Sequence, residues 1–259
     1  MLKFKTFKLN VMSFEKYILF TFLLNAQNEI KIDSLINAFE NESNEIKKIE
    51  TAHNLFHAFK HKKKEDAFKY AKASLELSKK INDKKNEGLS YLSLAYYYRF
   101  LPNVDSARIY YKKSINTLTI AIEKKKQWLS LNEYAIFESL QGNFEEALKL
   151  ADEGMELAIE LKHGPHIVDN IQRKSTIYMD MGNFKLAMEE ALNAIKVLDT
   201  TKPENKTGRA IALADIGRID MLRGNYKQAI KPLEESLELF KLLDRDYWVA
   251  TMYMEVGNV

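Results

Sequence analysis

Apolar residues recur at helical spacing along most of this chain, and the helical stretches themselves recur. The string Gly182-Asn183-Phe184-Lys185-Leu186-Ala187 has counterparts in Gly142-Asn143-Phe144-Glu145-Glu146-Ala147 and Gly224-Asn225-Tyr226-Lys227-Gln228-Ala229. Taking the alanine as an anchor gives Ala67, Ala107, Ala147, Ala187 and Ala229, which lie 40, 40, 40 and 42 residues apart. A period in this range predicts a repeat array of supersecondary units, each touching only its neighbours. Counted from these anchors, units begin near residues 48, 88, 128, 168 and 210, with a half unit from 250.

Within each unit the pattern predicts two helices. The first carries apolar residues about a turn apart, as in Tyr91, Leu94 and Tyr98, or Ile171 and Tyr178. A turn follows, and in three units it is Gly-Asn, where glycine takes the left-handed conformation that ends a helix. The aromatic two residues on (Phe144, Phe184, Tyr226) is placed to plug the gap between paired helices. In the second helix, the position seven past the anchor is always small (Ser74, Ser114, Gly154, Ala194, Ser236) and the next is always apolar (Leu75, Ile115, Met155, Ile195, Leu237). Small residues let helix axes approach closely, and the bulky neighbour fills the next layer. The first unit has Lys62-Lys63-Lys64 where Gly-Asn-aromatic is expected, and the second has Pro102-Asn103-Val104. Pro232, inside the last complete second helix, removes the bond to the Gln228 carbonyl and predicts a kink there.

These columns resemble those of tetratricopeptide repeat proteins, with Gly182, Phe184, Ala187, Ala194 and Ile195 matching the family's Gly, aromatic, Ala, small and apolar positions. The resemblance covers residues 48–259 and implies an all-α solenoid of stacked antiparallel hairpins, five repeats and a partial sixth. The family's period is about 34 residues, and the extra length here is expected in the second helix and its linker, as in Leu77 to Asp83. The longer form is similar to repeats in the sensory regions of bacterial histidine kinases and helix-turn-helix regulators, and in peptide-sensing cytosolic regulators. The resemblance also implies a protein or peptide partner on the concave face lined by first helices. Carried over, the family's groove positions are Tyr96, Arg99, Asn132, Ile136, Gln172, Thr176, Ala214 and Arg218, a mixture of groups that suits the donors and acceptors of an extended peptide.

Ahead of the array, Ile32, Leu35, Ile36 and Phe39 predict a leading helix within residues 27–47. Residues 1–26 place four lysines before the uncharged run Tyr17 to Leu24 and then Asn25-Ala26. That order is a secretory signal with cleavage after Ala26, implying export to the periplasm; the alternative is an apolar helix capping the array of a cytoplasmic protein, and Met12 is a second possible start. The run is too short to span a bilayer, which needs about 20 apolar residues. At the other end, Tyr253, Val256, Gly257 and Asn258 match a further first helix without its partner. This predicts sequence beyond Val259, a lone solvating helix, or an oligomer contact through the uncovered face.

The formal charge of +3 belongs to the N-terminus. Residues 1–26 hold four Lys and one Glu, so the remaining 35 basic and 35 acidic side chains cancel, and no global field draws the array to nucleic acid. Tyr96-Tyr97-Tyr98-Arg99 looks like a stacking patch, but a helix splits the three rings over different faces. With no cysteine in the chain, disulfides, thiolate metal sites and thiol catalysis are excluded.

No phosphate-binding glycine loop, zinc-protease pair or nucleophile elbow occurs, so neither an enzyme nor a cofactor is expected. His53, His57 and His61 are four apart on the first unit's first helix, a stripe from which two imidazoles could bind a divalent metal. The lysines at 60 and 62–64 oppose a cation there, and His57 falls in a column that is apolar elsewhere (Tyr97, Phe137, Ile177, Ile219), so a partly buried structural stripe is the expectation. His163 and His166 flank Gly164-Pro165 in what reads as a linker, without a carboxylate motif to complete a site.

Overall fold

A computed structural model describes residues 31–102, 104–198 and 203–257, with side chains of 203–205 omitted. The basic and apolar segment 1–26 therefore lies outside the described residues. Among those described there are twelve helices and no strands. They divide into two compact units, Met1–Tyr97 and Tyr98–Val259.

The first unit holds α1 (residues 31–41), α2 (Glu45–Phe59), α3 (Lys64–Lys80) and nearly all of α4 (Lys84–Tyr98). Asn44 caps α2 by accepting from the Lys47 amide at 3.1 Å, satisfying one of the amides that a helix start leaves open. The apolar face of α2 (Ile49, Ala52, Leu55, Phe56, Phe59) is buried against Ala67, Tyr70 and Ala71 of α3. Tyr70 stacks on Phe59 at 5.8 Å and meets the edge of Phe39 from α1 at 5.3 Å. The hairpin thus forms despite its lysine-rich turn, because the anchor Ala67 and its apolar partners are all present.

The second unit holds α5 (Val104–Ile120), α6 (Lys124–Leu140), α7 (Phe144–Glu160), α8 (Gly164–Asp180), α9 (Phe184–Val197), α10 (Pro203–Leu222), α11 (Tyr226–Leu242) and α12 (Asp246–Gly257). Helices α6–α7, α8–α9 and α10–α11 are antiparallel hairpins. Two helices of 17 residues and two turns of three account for the period of forty. Of the stretch Leu77 to Asp83, residues 77–80 belong to α3 and residues 81–83 form the turn. First helices begin three to seven residues ahead of the counted unit starts, so part of the added length lies at their N-terminal ends. Helix α11 runs unbroken through Pro232.

The Gly-Asn turns within hairpins and the turns between hairpins close in one way, with the third residue past the helix bonding back five positions. Within hairpins, Asn143, Asn183 and Asn225 donate to the carbonyls of Glu138, Tyr178 and Asp220 at 2.8–2.9 Å, and Gly142, Gly182 and Gly224 have φ of 73–78°. Between hairpins the same geometry is held without glycine, at Asn82, Ile122, Lys162 and Asp244.

The small column packs across successive hairpins. Ser74 bonds Ser90 and Ser114 bonds Ser130, each at 2.8 Å; Ser236 reaches Met252 Sδ of α12 at 3.4 Å, besides donating to the Ala210 carbonyl of its own hairpin at 2.7 Å. At Gly154 an added Cβ would stand 2.7 Å from Asn170 Oδ1. The turn aromatics also reach the next hairpin. Phe144 packs in a cluster with Ala147, Ala151 and Ile177, and Phe184 in another with Ala187, Ala191 and Ile219. Tyr226, for which no described residue stands in the place of Ile177 or Ile219, is 54% exposed.

Candidate functional site

The first-helix face of the second unit is built from α6, α8, α10 and α12, where residues four apart share a side. Its polar groups link one helix to the next. Arg99 Nη1 meets Glu133 Oε2 at 3.1 Å, Arg173 Nε donates to Asn132 Oδ1 at 3.2 Å, and Arg218 Nε donates to Glu255 Oε1 at 2.8 Å. Arg218 Nη1 also pairs with Asp215 on its own helix at 2.7 Å. Farther along α6, Ser139 donates to Asp180 of α8 at 2.9 Å.

This geometry sorts the groove residues expected from the sequence. Asn132, Ile136, Thr176 and Arg218 are half-buried on this face, although the Thr176 hydroxyl turns back to the Gln172 carbonyl at 3.0 Å. Gln172 is only 8% exposed and donates to the Gly208 carbonyl at 2.9 Å, so it joins α8 to α10 instead of facing a partner. Gly208 itself is closely packed, since a Cβ there would stand 3.0 Å from Leu198 Cδ2 and 3.3 Å from Val168 Cγ1. Ala214 is buried in a cluster with Ala229 and Leu233 and presents no surface. Tyr96, in the first unit, reaches His61 Nε2 with its hydroxyl at 3.2 Å.

Sequence reasoning missed Glu133, Arg173, Asp215 and Glu255, which form the column next to the one chosen. Their spacings of 40, 42 and 40 residues were the available signal. It also missed the buried pair beneath the α6–α7 turn. Glu138 accepts from Arg108 Nε at 2.8 Å, Arg108 Nη2 at 3.0 Å and Asn143 Nδ2 at 2.7 Å. Burial pushes the Glu138 carboxyl up, but bonds from Arg108 and Asn143 and the Arg108 charge outweigh it, and its pKa is lowered. Tyr134 and Lys149 join this pair in lining an open cleft of about 1020 Å³.

The sequence matches no protein-family model and no curated protein. Solved structures are similar in fold. BtubC (BKLC) from P. vanneervenii superposes with a TM-score of 0.65 at 14% identity, covering 85% of this chain and 90% of its own. NprR in complex with its cognate peptide NprX gives 0.60 at 14%, covering 95% and 73%. The Podosopora anserina putative kinesin light chain with nearly identical TPR-like repeats gives 0.60 at 15%, covering 79% and 100%. The chain has a tetratricopeptide-repeat fold.

In this tetratricopeptide-repeat array the five histidines have differing surroundings. Among the described residues no three His, Asp or Glu side chains converge as a metal site. Of the stripe, His53 is half-buried and His57 and His61 are exposed. Ile177 and Ile219, the column counterparts of His57, are buried by the second helix of the preceding hairpin, and no complete hairpin precedes α2 among the described residues. His163 and His166 do not sit in a linker. His163 is the N-cap of α8, accepting from the His166 amide at 3.3 Å, and Pro165 occupies the first turn, where its missing N–H costs nothing. His166 stacks on Trp128 with centroids 3.6 Å apart, and its pKa is lowered to about 4 by burial first and then by His163 and Lys125.

Proposed function

We propose that this chain is a noncatalytic scaffold that binds an extended protein or peptide segment on the first-helix face of its second unit. The observation that carries the reading is the face itself: Asn132, Ile136, Arg173 and Thr176 remain partly accessible there while the apolar columns are committed to stacking. The fold it shares with NprR, solved with its cognate peptide, and with a Rap protein solved with competence and sporulation factor, supports the same choice.

The test is selection of fluorescent seven-residue peptides from a randomised pool against the intact chain, followed by anisotropy titration. Ile136→Arg and Thr176→Arg fill the face without touching its interhelix bonds. Selected peptides are expected to bind these variants at least about tenfold more weakly at unchanged melting temperature. No enrichment, or equal binding by wild type and variants, overturns the reading.

The proposal extends to context: the exported sensory region of a bacterial signalling protein, supported by the order of basic, apolar and small residues in 1–26. A cytosolic peptide-responsive regulator is the second reading, favoured by the likeness to NprR and Rap. Cell fractionation with intact-mass measurement separates them, since recovery of uncleaved chain from the cytosol removes the export reading.

A further inference from the structure

Where α12 meets α10, two carboxylates share one guanidinium. Asp215, its side chain 3% exposed, accepts from Arg218 Nη1, and Arg218 Nε donates to Glu255. The other Glu255 oxygen, Oε2, is buried without a hydrogen-bond partner among the described residues. With both acids ionised the group holds two negative charges against one positive, and a buried charge lacking a partner is costly.

Other elements do not supply the missing charge. Arg173 of α8 acts on Asp215, but Glu133, Asp169 and Asp180 act on Arg173 too. Helices α9 and α11 present Ala187, Ala191, Ala229 and Leu233 to α10 and no charge to Asp215. On the α11 side of α12, Lys241 lies over the Tyr253 ring at 5.3 Å.

We propose that Asp215, Arg218 and Glu255 form a proton-operated latch that fixes α12 to α10. One added proton on Asp215 removes the excess negative charge and leaves the Arg218 guanidinium to Glu255. Its loss leaves two carboxylates competing for one guanidinium, and α12 loosens locally while its apolar contacts with α11 (Met252 and Trp248 against Phe240) keep it attached. Burial pushes the Asp215 carboxyl up to about 7, with Arg218 opposing, Glu255 reinforcing and Arg173 opposing. The folded value thus stands above the unfolded one, near 3.9. The stabilisation is complete below that value and is lost as pH rises through about 7. No ligand is needed, so the latch stands or falls apart from the peptide-binding reading.

Trp248 on α12 stacks on Phe240 at 5.3 Å and reports the docking, and Trp128 is the other tryptophan in the chain. In the intact Trp128→Phe chain, Trp248 emission is expected to show a one-proton transition near pH 7. Hydrogen exchange corrected for intrinsic rates is expected to lose about tenfold protection within residues 246–257 between about pH 6 and 8. Asp215→Asn keeps an acceptor for Arg218 and is expected to abolish both changes. Glu255→Gln removes the competing charge and is expected to move the midpoint down by about one pH unit or more. Equal protection at both pH values, or a transition unmoved in Asp215→Asn, overturns the latch. If that variant does not fold, an unmoved midpoint in Glu255→Gln overturns it instead.

Discussion

Arg108→Ala tests an ion pair between a half-exposed guanidinium and a buried carboxylate in the second unit. Glu138 is 2% exposed and takes two nearly parallel bonds from Arg108 and a third from Asn143. Removing the guanidinium leaves a carboxylate with only the neutral Asn143 amide and Tyr134 hydroxyl as donors. At an effective dielectric of about 20, a contact pair of this kind is worth about 4–5 kcal/mol before the desolvation of both ions is subtracted. Arg108 is 29% exposed, which screens the interaction further. The expected loss is about 2–3 kcal/mol, or a fall of roughly 4–12 °C in melting temperature for a chain of this size. Urea denaturation at pH 7.5 and calorimetry from pH 3 to 8 measure it. Because the folded Glu138 pKa is lowered, its stabilisation is present above the unfolded carboxylate value near 4.3 and is lost as pH falls through the folded value. The gap between wild type and variant is therefore widest above about pH 5 and closes toward pH 3. A difference below about 0.5 kcal/mol at pH 7.5, or one that stays constant down to pH 3, would refute the reasoning.

Gly217→Ala would bring a Cβ to 2.5 Å from Leu233 Cγ in the α10–α11 core; overpacking of about 1–3 kcal/mol outweighs the gain of ~1 kcal/mol in helix propensity, and a double-mutant cycle with Leu233→Ala should recover coupling of at least about 1 kcal/mol. Ile122→Gly relieves a β-branched residue held at φ 57° and 79% exposed, so chemical denaturation should show a gain of about 1 kcal/mol; a loss would mean that the turn is not as described. His166→Phe keeps the ring on Trp128 and removes a group whose folded pKa is lowered to about 4. Wild type should lose stability as pH falls from about 6.5 to 4, and the variant should lose less in that window.

The layers of this fold were legible because they rest on residue size at a fixed spacing. Ala187, Ala194 and Gly154 had to be small, and glycine at 142, 182 and 224 had to tolerate positive φ; each requirement leaves a mark in one sequence. The face lining was less legible because it rests on pairing. Gln172 reads as a free amide until Gly208 is found beside it, and Ala214 reads as a groove position until α11 covers it. The left-handed residues between hairpins went unseen for a different reason. Ile122, Lys162 and Asp244 carry no compositional cue for that conformation, which is imposed by the six-residue bond that closes each turn.

That closure has a genetic consequence. Since the helices of the α6–α7 repeat and the turns that bound it sum to a whole period, excising or duplicating residues 124–163 joins a turn to a helix start of the same kind. Backbone phase is kept across the splice, and only side-chain partnerships particular to one repeat, such as Arg108 with Glu138 or Trp128 with His166, must be found again. Arrays of this build can therefore change length by recombination in whole units, with the burden of repair falling on a few polar pairs.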